Sequence, residues 1–141
     1  MELFLIAHVA GRPVAVPAQQ VGSVVDLGEI VPVPGAERAV RGLAALRSRV
    51  VTVIDTGVAL GLDPTPASVH RAVITRVDGH HYAVLVDALE DVAPFVRQPL
   101  AGVALRRGWA HAGVGLIERD GEPVLVIDLA SLLPGVVAQA A

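Results

Sequence analysis

Cysteine and lysine are both absent from this chain, and each absence closes a class of chemistry. Without cysteine there is no disulfide, no thiolate nucleophile and no zinc–cysteine site, a composition that suits a reducing cytoplasm. Without lysine every basic side chain is an arginine, and a formal net charge of −3 leaves no broad cationic field for nucleic acid. Aromatic residues make up only 3% of the chain, so platforms for base stacking are missing too. No uncharged run approaches the roughly 18 apolar residues of a membrane span. The N-terminal MELFLIAHV lacks the basic start and small-residue cleavage site of a signal peptide. The expectation is a soluble cytoplasmic protein that binds no nucleic acid and does not insert into a membrane.

What is present is a design used twice. The block Gly42–Leu62, GLAALRSRVVTVIDTGVALGL, returns with Gly115 and Leu116 in the places of Gly42 and Leu43. Val124, Val126, Ile127 and Asp128 then stand for Val51, Val53, Ile54 and Asp55. The segments ahead of these blocks echo as well, Ile6, Val9, Gly11 and Val16 answering Ile74, Val77, Gly79 and Val84. Two copies are too few for a solenoid, which needs at least about three units. The repeat therefore predicts two similar sub-barrels or sheets packed together. At 141 residues the chain reads as one compact domain, 1–141, able to bury roughly two-thirds of its unfolded surface. Its approximate sub-barrels are 1–68 and 69–141, with exchange of strands between them allowed.

Short Val, Ile, Leu and Ala runs broken by Gly, Pro and Asp give an all-β expectation. Hairpins are expected around Gly11-Arg12 (strands 3–9 and 13–16) and around Asp78-Gly79 (strands 72–77 and 81–86). Val24–Val33 is a third strand region closed by Pro32 and Pro34, and Val40–Ala45 pairs with Arg49–Ile54. Asp55 is placed to cap a short helix over Thr56–Gly61, and Asp128 one over Leu129–Leu133. Asp63–Ser68 is a Pro-rich link, Pro99–Ala112 a long surface loop, and Val137–Ala141 a fraying end.

Several residues invite chemistry. Asp55-Thr56-Gly57 after an apolar strand resembles the aspartic-protease signature, in which two such carboxylates share a proton; a chain this short would build the pair by dimerising. The echo at Asp128 continues Leu129-Ala130 instead, so helix capping is the preferred reading. His80 and His81 are strand neighbours facing opposite sides and cannot chelate one metal alone. His8, His70 and His111 show no spacing that groups them with a carboxylate, and no serine lies in a nucleophile elbow. The chain is accordingly expected to be no enzyme, with no cofactor and no metal. Arg38, Arg41, Arg47 and Arg49 crowd one stretch, readable as a solvated sheet edge or as a protein-recognition patch. Arg106-Arg107 beside Trp109 allows the same two readings, and Trp109 either caps the core or meets a partner.

Val40-Arg41-Gly42-Leu43-Ala44-Ala45-Leu46-Arg47, followed by Val50-Val51-Thr52-Val53-Ile54-Asp55, resembles the V-x-G-L/V-x-N-L-R-G core and apolar strand of the CheW-like coupling proteins of bacterial chemotaxis. Val84–Val92 is similar to that family's V-D-x-V-x-x-V segment, and Val124–Leu133 to its closing strand and helix. The resemblance covers essentially the whole chain. It implies two packed five-stranded SH3-like β-barrels with short helices, and a non-enzymatic adaptor. Such an adaptor joins the cytoplasmic tip of a chemoreceptor to the regulatory domain of a CheA-type histidine kinase, at the inner face of the membrane through receptor arrays. Position by position, Arg47 matches the Arg of the L-R-G motif and faces the receptor; Val21, Val24 and Val86 match apolar positions lining a groove between the barrels; Arg49 joins the protein-binding set. The chain departs from the pattern at Ser48 (usually Gly), Ala45 (Asn), Thr52 (often Pro) and Ser23 (often an acidic partner for the Arg). Serine at 48 disfavours positive φ and is expected to reshape the turn before Arg49. Rival readings are a divergent relative that regulates motility or another pathway by competing for the kinase, the dimeric protease through Asp55, and an unrelated β-barrel structural protein.

Overall fold

The computed structural model describes residues 1–102 and 104–134; the expected fraying of Val137–Ala141 lies outside them. Ten strands run β1 (Glu2–Val9), β2 (Arg12–Pro17), β3 (Ser23–Asp26), β4 (Val40–Leu46), β5 (Arg49–Ile54), β6 (Arg71–Val77), β7 (His80–Leu85), β8 (Ala88–Phe95), β9 (Gly113–Arg119) and β10 (Glu122–Ile127). Two short helices, α1 (Thr56–Ala59) and α2 (Arg107–Ala112), and 3-10 turns at Ala18–Gln20 and Leu129–Leu132 complete the described elements.

The strands form two five-stranded sheets, ordered β8-β1-β2-β10-β9 and β3-β6-β7-β5-β4. Neither sheet is a sequence half. Residues 1–68 place β1 and β2 in the first sheet and β3 to β5 in the second, while the later residues send β6 and β7 to the second sheet and β8 to β10 to the first. Strands are thus exchanged across residue 68, and two parallel pairings, β2 with β10 and β5 with β7, close the exchange. Parallel neighbours cannot be joined by a tight turn, so each such pair unites segments distant in the chain.

The repeat survives this exchange residue by residue. Gly42 lies opposite Val53 and Leu43 opposite Thr52; in the second copy Gly115 lies opposite Val126 and Leu116 opposite Leu125. Both pairs carry a bulge at the same place, between Val40 and Gly42 in one and between Val126 and Ile127 in the other. The hairpin echo holds equally: Ile6 and Ile74 point into their respective barrel interiors, while Val16 and Val84 point the other way.

That alternation builds three apolar cores. Phe4, Ile6, Ala15, Ile117, Val124 and Val126 fill the first sheet, which curls into an SH3-like barrel around them. Leu27, Ala44, Val51, Val53, Ala72, Ile74, Ala83 and Leu85 fill the second. The intervening positions, including Leu5, Ala7, Val9, Val14, Val16, Ile54, Val73, Val84 and Ile127, meet between the barrels in a shared core. Strands buried on both faces need no polar alternation, which is why FLIA, VAV, AVIT and AVLV read as continuous apolar runs.

Three expectations need correction. The strand region Val24–Val33 is only the short β3 plus an isolated bridge from Val31 to Leu43; Gly28 and the prolines interrupt the ladder, since Pro lacks the donor it requires. The first hairpin turns on Ala10-Gly11 rather than Gly11-Arg12, both with positive φ. The loop Pro99–Ala112 ends in α2, which presses Trp109, 4% exposed, into the shared core. Trp109 therefore serves the core, with the Arg12 guanidinium 5.7 Å from its ring centre.

Glycine at 108 permits that docking. A Cβ there would stand 1.7 Å from the carbonyl oxygen of Leu60, at the end of α1. Gly108→Ala is expected to lower the unfolding free energy by about 2–3 kcal/mol through overpacking. Gly79→Ala, at φ +80 with nothing near the new methyl group, costs about 1 kcal/mol. Urea unfolding of the two variants checks this; a Gly108 variant no worse than the Gly79 variant would contradict the packing described.

Candidate functional site

Asp55 leaves β5 in extended backbone and caps α1, accepting the Val58 amide at 3.1 Å. The same oxygen, Oδ1, also accepts the Thr65 amide at 3.0 Å and the Thr65 hydroxyl at 2.8 Å. The other, Oδ2, takes the Arg41 guanidinium at 2.6 Å. Burial pushes the carboxyl pKa up, but Arg41, Thr65 and Val58 together outweigh it and hold Asp55 below the usual carboxylate range. The rest of the triplet is equally occupied. The Thr56 hydroxyl donates to the Leu85 carbonyl at 2.5 Å, and a Cβ on Gly57 would lie 2.2 Å from the Asp63 carbonyl oxygen. A carboxylate 3% exposed and saturated with donors cannot share a proton with a second copy or activate water, which removes the protease reading. Asp128 repeats the cap, its Oδ1 accepting from Ala130 N at 3.2 Å and from Gln20 Nε2 at 3.1 Å.

Among the described residues no other grouping resembles a catalytic centre. Among the described residues no set of three or more His, Asp or Glu side chains is placed to hold a metal ion. The fold does give His8 a carboxylate that spacing did not reveal: β1 pairs with β8, and His8 Nε2 lies 2.5 Å from Glu90 Oε2. Arg119 reaches the other Glu90 oxygen, and His8, then Arg119, hold Glu90 below its ordinary value. An open groove of about 950 Å³ runs between the β1–β2 turn, α1 and the segment 61–69, without a nucleophile and base facing each other.

The residues singled out for protein binding fall in two places. Arg47 and Arg49 stand exposed at the tip of the β4–β5 hairpin, Arg47 with φ +59. The other three two-residue hairpins end in Gly with positive φ at both turn positions; here Ser48 has none, so serine does change the turn. Val21, Val24 and Val86 gather beside the shared core: Val24, 42% exposed, lies opposite Val73 on the sheet edge, and half-buried Val21 packs on the core. Val86 is only 3% exposed and belongs to that core, because it continues the inward-facing row of Val84. In this structure Val86 does not open to solvent. Arg41 likewise turns inward to Asp55 and leaves the surface patch.

Sequence reasoning missed the apolar surface beside these residues. On the outer face of β4–β5, Leu43 bridges to Val31 and Ala45 lies opposite Val50, with Val31, Leu43 and Val50 at 54%, 37% and 63% exposure. The first barrel has its own patch at the β8 edge, where Leu3 lies opposite Pro94, with Leu3 and Val92 at 53% and 55% exposure. Exposed apolar patches on a folded surface mark sites of association. Alternation within β4 and β5 was the available signal, since their outward positions, Leu43, Ala45 and Val50, are not polar.

Comparison with known proteins agrees with this architecture. The profile of the CheW-like domain family matches residues 3–136. "Chemotaxis protein CheW" of Thermotoga maritima is 22% identical over 110 residues, spanning 78% of this chain and 73% of that protein. The crystal structure of the scaffolding protein TtCheW from Thermoanaerobacter tengcongensis superposes with a TM-score of 0.79 at 19% identity, covering 96% of this chain and 91% of that one.

The Asp55 site generates a pH prediction. Because its folded pKa is depressed, its stabilisation is present above the unfolded carboxylate value and is lost as pH falls through the lower folded value. Asp55→Asn is expected to cost about 2 kcal/mol near neutral pH and to flatten the acid limb of stability against pH. An unchanged acid limb in urea unfolding would show that another carboxylate carries it.

Proposed function

Because this chain belongs to the CheW-like family, whose members are scaffolding adaptors and not enzymes, we propose that it acts as one non-enzymatic unit coupling chemoreceptors to a CheA-type histidine kinase. The observation that supports this most is the pair of exposed apolar patches, one on each barrel, held in fixed relation by the shared core. An adaptor needs two faces for two partners, each with an apolar centre and a polar rim. The β4–β5 patch, rimmed by Arg47 and Arg49, together with Val21 and Val24 at the joint, faces the receptor's cytoplasmic tip, with Val86 supporting it from beneath. The kinase's regulatory domain takes another face. In this reading the protein is cytoplasmic and lies at the inner face of the membrane wherever receptors form arrays; no helix among the described residues is long and apolar enough to cross a membrane.

A pull-down with a receptor-tip hairpin and a CheA-type regulatory domain tests the proposal. Wild type is expected to capture both, and Arg47→Glu to lose receptor binding by about tenfold or more while keeping the kinase and the wild-type melting temperature. Capture of neither partner by wild type contradicts coupling. Capture of the kinase with exclusion of the receptor would identify a competitor instead.

A further inference from the structure

Strand alternation carries three basic side chains to one end of the second barrel. Its interior is filled from β5 by Val51 and Val53, from β6 by Ala72 and Ile74, and from β7 by Ala83 and Leu85. The next position on the same face, toward one common end, is Arg49 on β5, Arg76 on β6 and His81 on β7. Arg76 lies directly opposite His81, and Arg49 Nη1 stands 3.0 Å from His81 Nδ1.

The acid nearest this rim in the chain, Asp78 in the β6–β7 turn, makes no salt bridge with it. Among the described residues no carboxylate forms a salt bridge with Arg47, Arg49 or Arg76. The acids of the surrounding strands are committed elsewhere, Asp26 to Arg71 at the opposite end of β3–β6 and Asp55 to Arg41. In a protein of net charge −3, two clustered guanidinium groups without a carboxylate partner, beside an imidazole within hydrogen-bonding distance of one of them, are an incomplete arrangement. Like charges held together raise the free energy of the unliganded state, and an anion between them relieves it.

We propose that this rim is a docking site for a carboxylate presented by an acidic segment of a protein partner. Arg49 and Arg76 offer the planar donors suited to carboxylate oxygens, and His81 adds a third donor when protonated. Val50, next to Arg49 in the chain and 63% exposed on the outer face of β5, offers a partner segment that wraps this end of the barrel an apolar contact that a free inorganic ion would not use. The proposal deepens the adaptor reading and rests on it only in taking the ligand to be a protein segment.

His81 gives the site a pH response. Burial, then Arg49 and Arg76, hold its imidazole below the ordinary value in the free chain. The groups bordering it are Arg49 from β5, Arg76 from β6, Asp78 and Arg47 in the adjoining hairpin turns, and His80, whose side chain points to the other face of β7. A docked carboxylate favours the imidazolium, so binding takes up a proton and tightens as pH falls through the neutral range.

The test is fluorescence anisotropy of the full chain with two labelled helical peptides, one of alternating Glu and Leu faces and one with every Glu replaced by Gln, at about pH 6 and about pH 7.5. The Glu peptide is expected to bind at least about tenfold tighter than the Gln peptide, and more tightly at the lower pH. Arg49→Gln and Arg76→Gln should each remove most of that preference, and His81→Gln should abolish its pH dependence. All three should melt like wild type. Arg71→Gln, which removes the same charge at the far end of β6, should leave binding unchanged. Equal binding of the two peptides, an unaffected Arg76 variant, or equal weakening by Arg71→Gln would overturn the site. None of these outcomes depends on whether the chain couples receptor to kinase.

Discussion

Everything else in this structure depends on the apolar core between the barrels. Leu5, Val14, Val16, Ile54, Val73, Val84 and Ile127 face it from six strands, and Trp109 from α2 with Leu129, Leu132 and Leu133 after β10 close it. Each fully buried side chain of this size contributes about 1.5–3 kcal/mol relative to exposure, set against the conformational entropy of ordering the chain. Because β1, β2, β5, β6, β7 and β10 send alternate residues to a barrel interior and to this joint, neither barrel can loosen without disturbing the other. The exchanged strands and the parallel pairings follow from that sharing, as does the tight seat of α2 on the end of α1.

The two similar barrels that meet at the joint differ at their tips. Equivalent residues, Asp55 and Asp128, cap the segments that cover the joint, and both are occupied by structural hydrogen bonds. The difference lies at the hairpin tips. Arg47-Ser48 in one copy faces Asp120-Gly121 in the other, with a changed turn and reversed charge. The basic tip continues into Arg49, His81 and Arg76, whereas Arg119 beside the acidic tip is bound to Glu90. A shared scaffold with unlike ends is what the proposed adaptor between unlike partners requires.

Much of the fold was legible because its signals are local. The hairpins at Asp78-Gly79 and the β4–β5 pair followed from turn residues, the two caps from Asp at strand ends, and the repeat from matched Gly and Asp positions. What stayed hidden depends on contacts between distant segments. The exchange of strands across residue 68 leaves no mark on local propensity; β8 carries Glu90, Asp91 and Pro94 and so lacks a clear alternation, and α2 is too short to show a helical period. At the candidate site, Arg47 and Arg49 could be named from the sequence, but Arg76 and His81 join them only through the register of β5, β6 and β7. The burial of Val86 stayed hidden for the complementary reason: a valine in an apolar run does not say which of two buried faces it serves, or whether that face opens to solvent.

Trp109 offers the most direct measurement, because it is the only tryptophan of the chain and sits in the shared core. Equilibrium unfolding followed in parallel by Trp109 fluorescence and by far-ultraviolet circular dichroism compares the joint with the sheets. If the shared core binds both barrels into one rigid adaptor, the two transitions coincide in midpoint and slope. A fluorescence transition at lower denaturant, with the sheet signal retained, would show barrels that stand without their joint and would contradict the account.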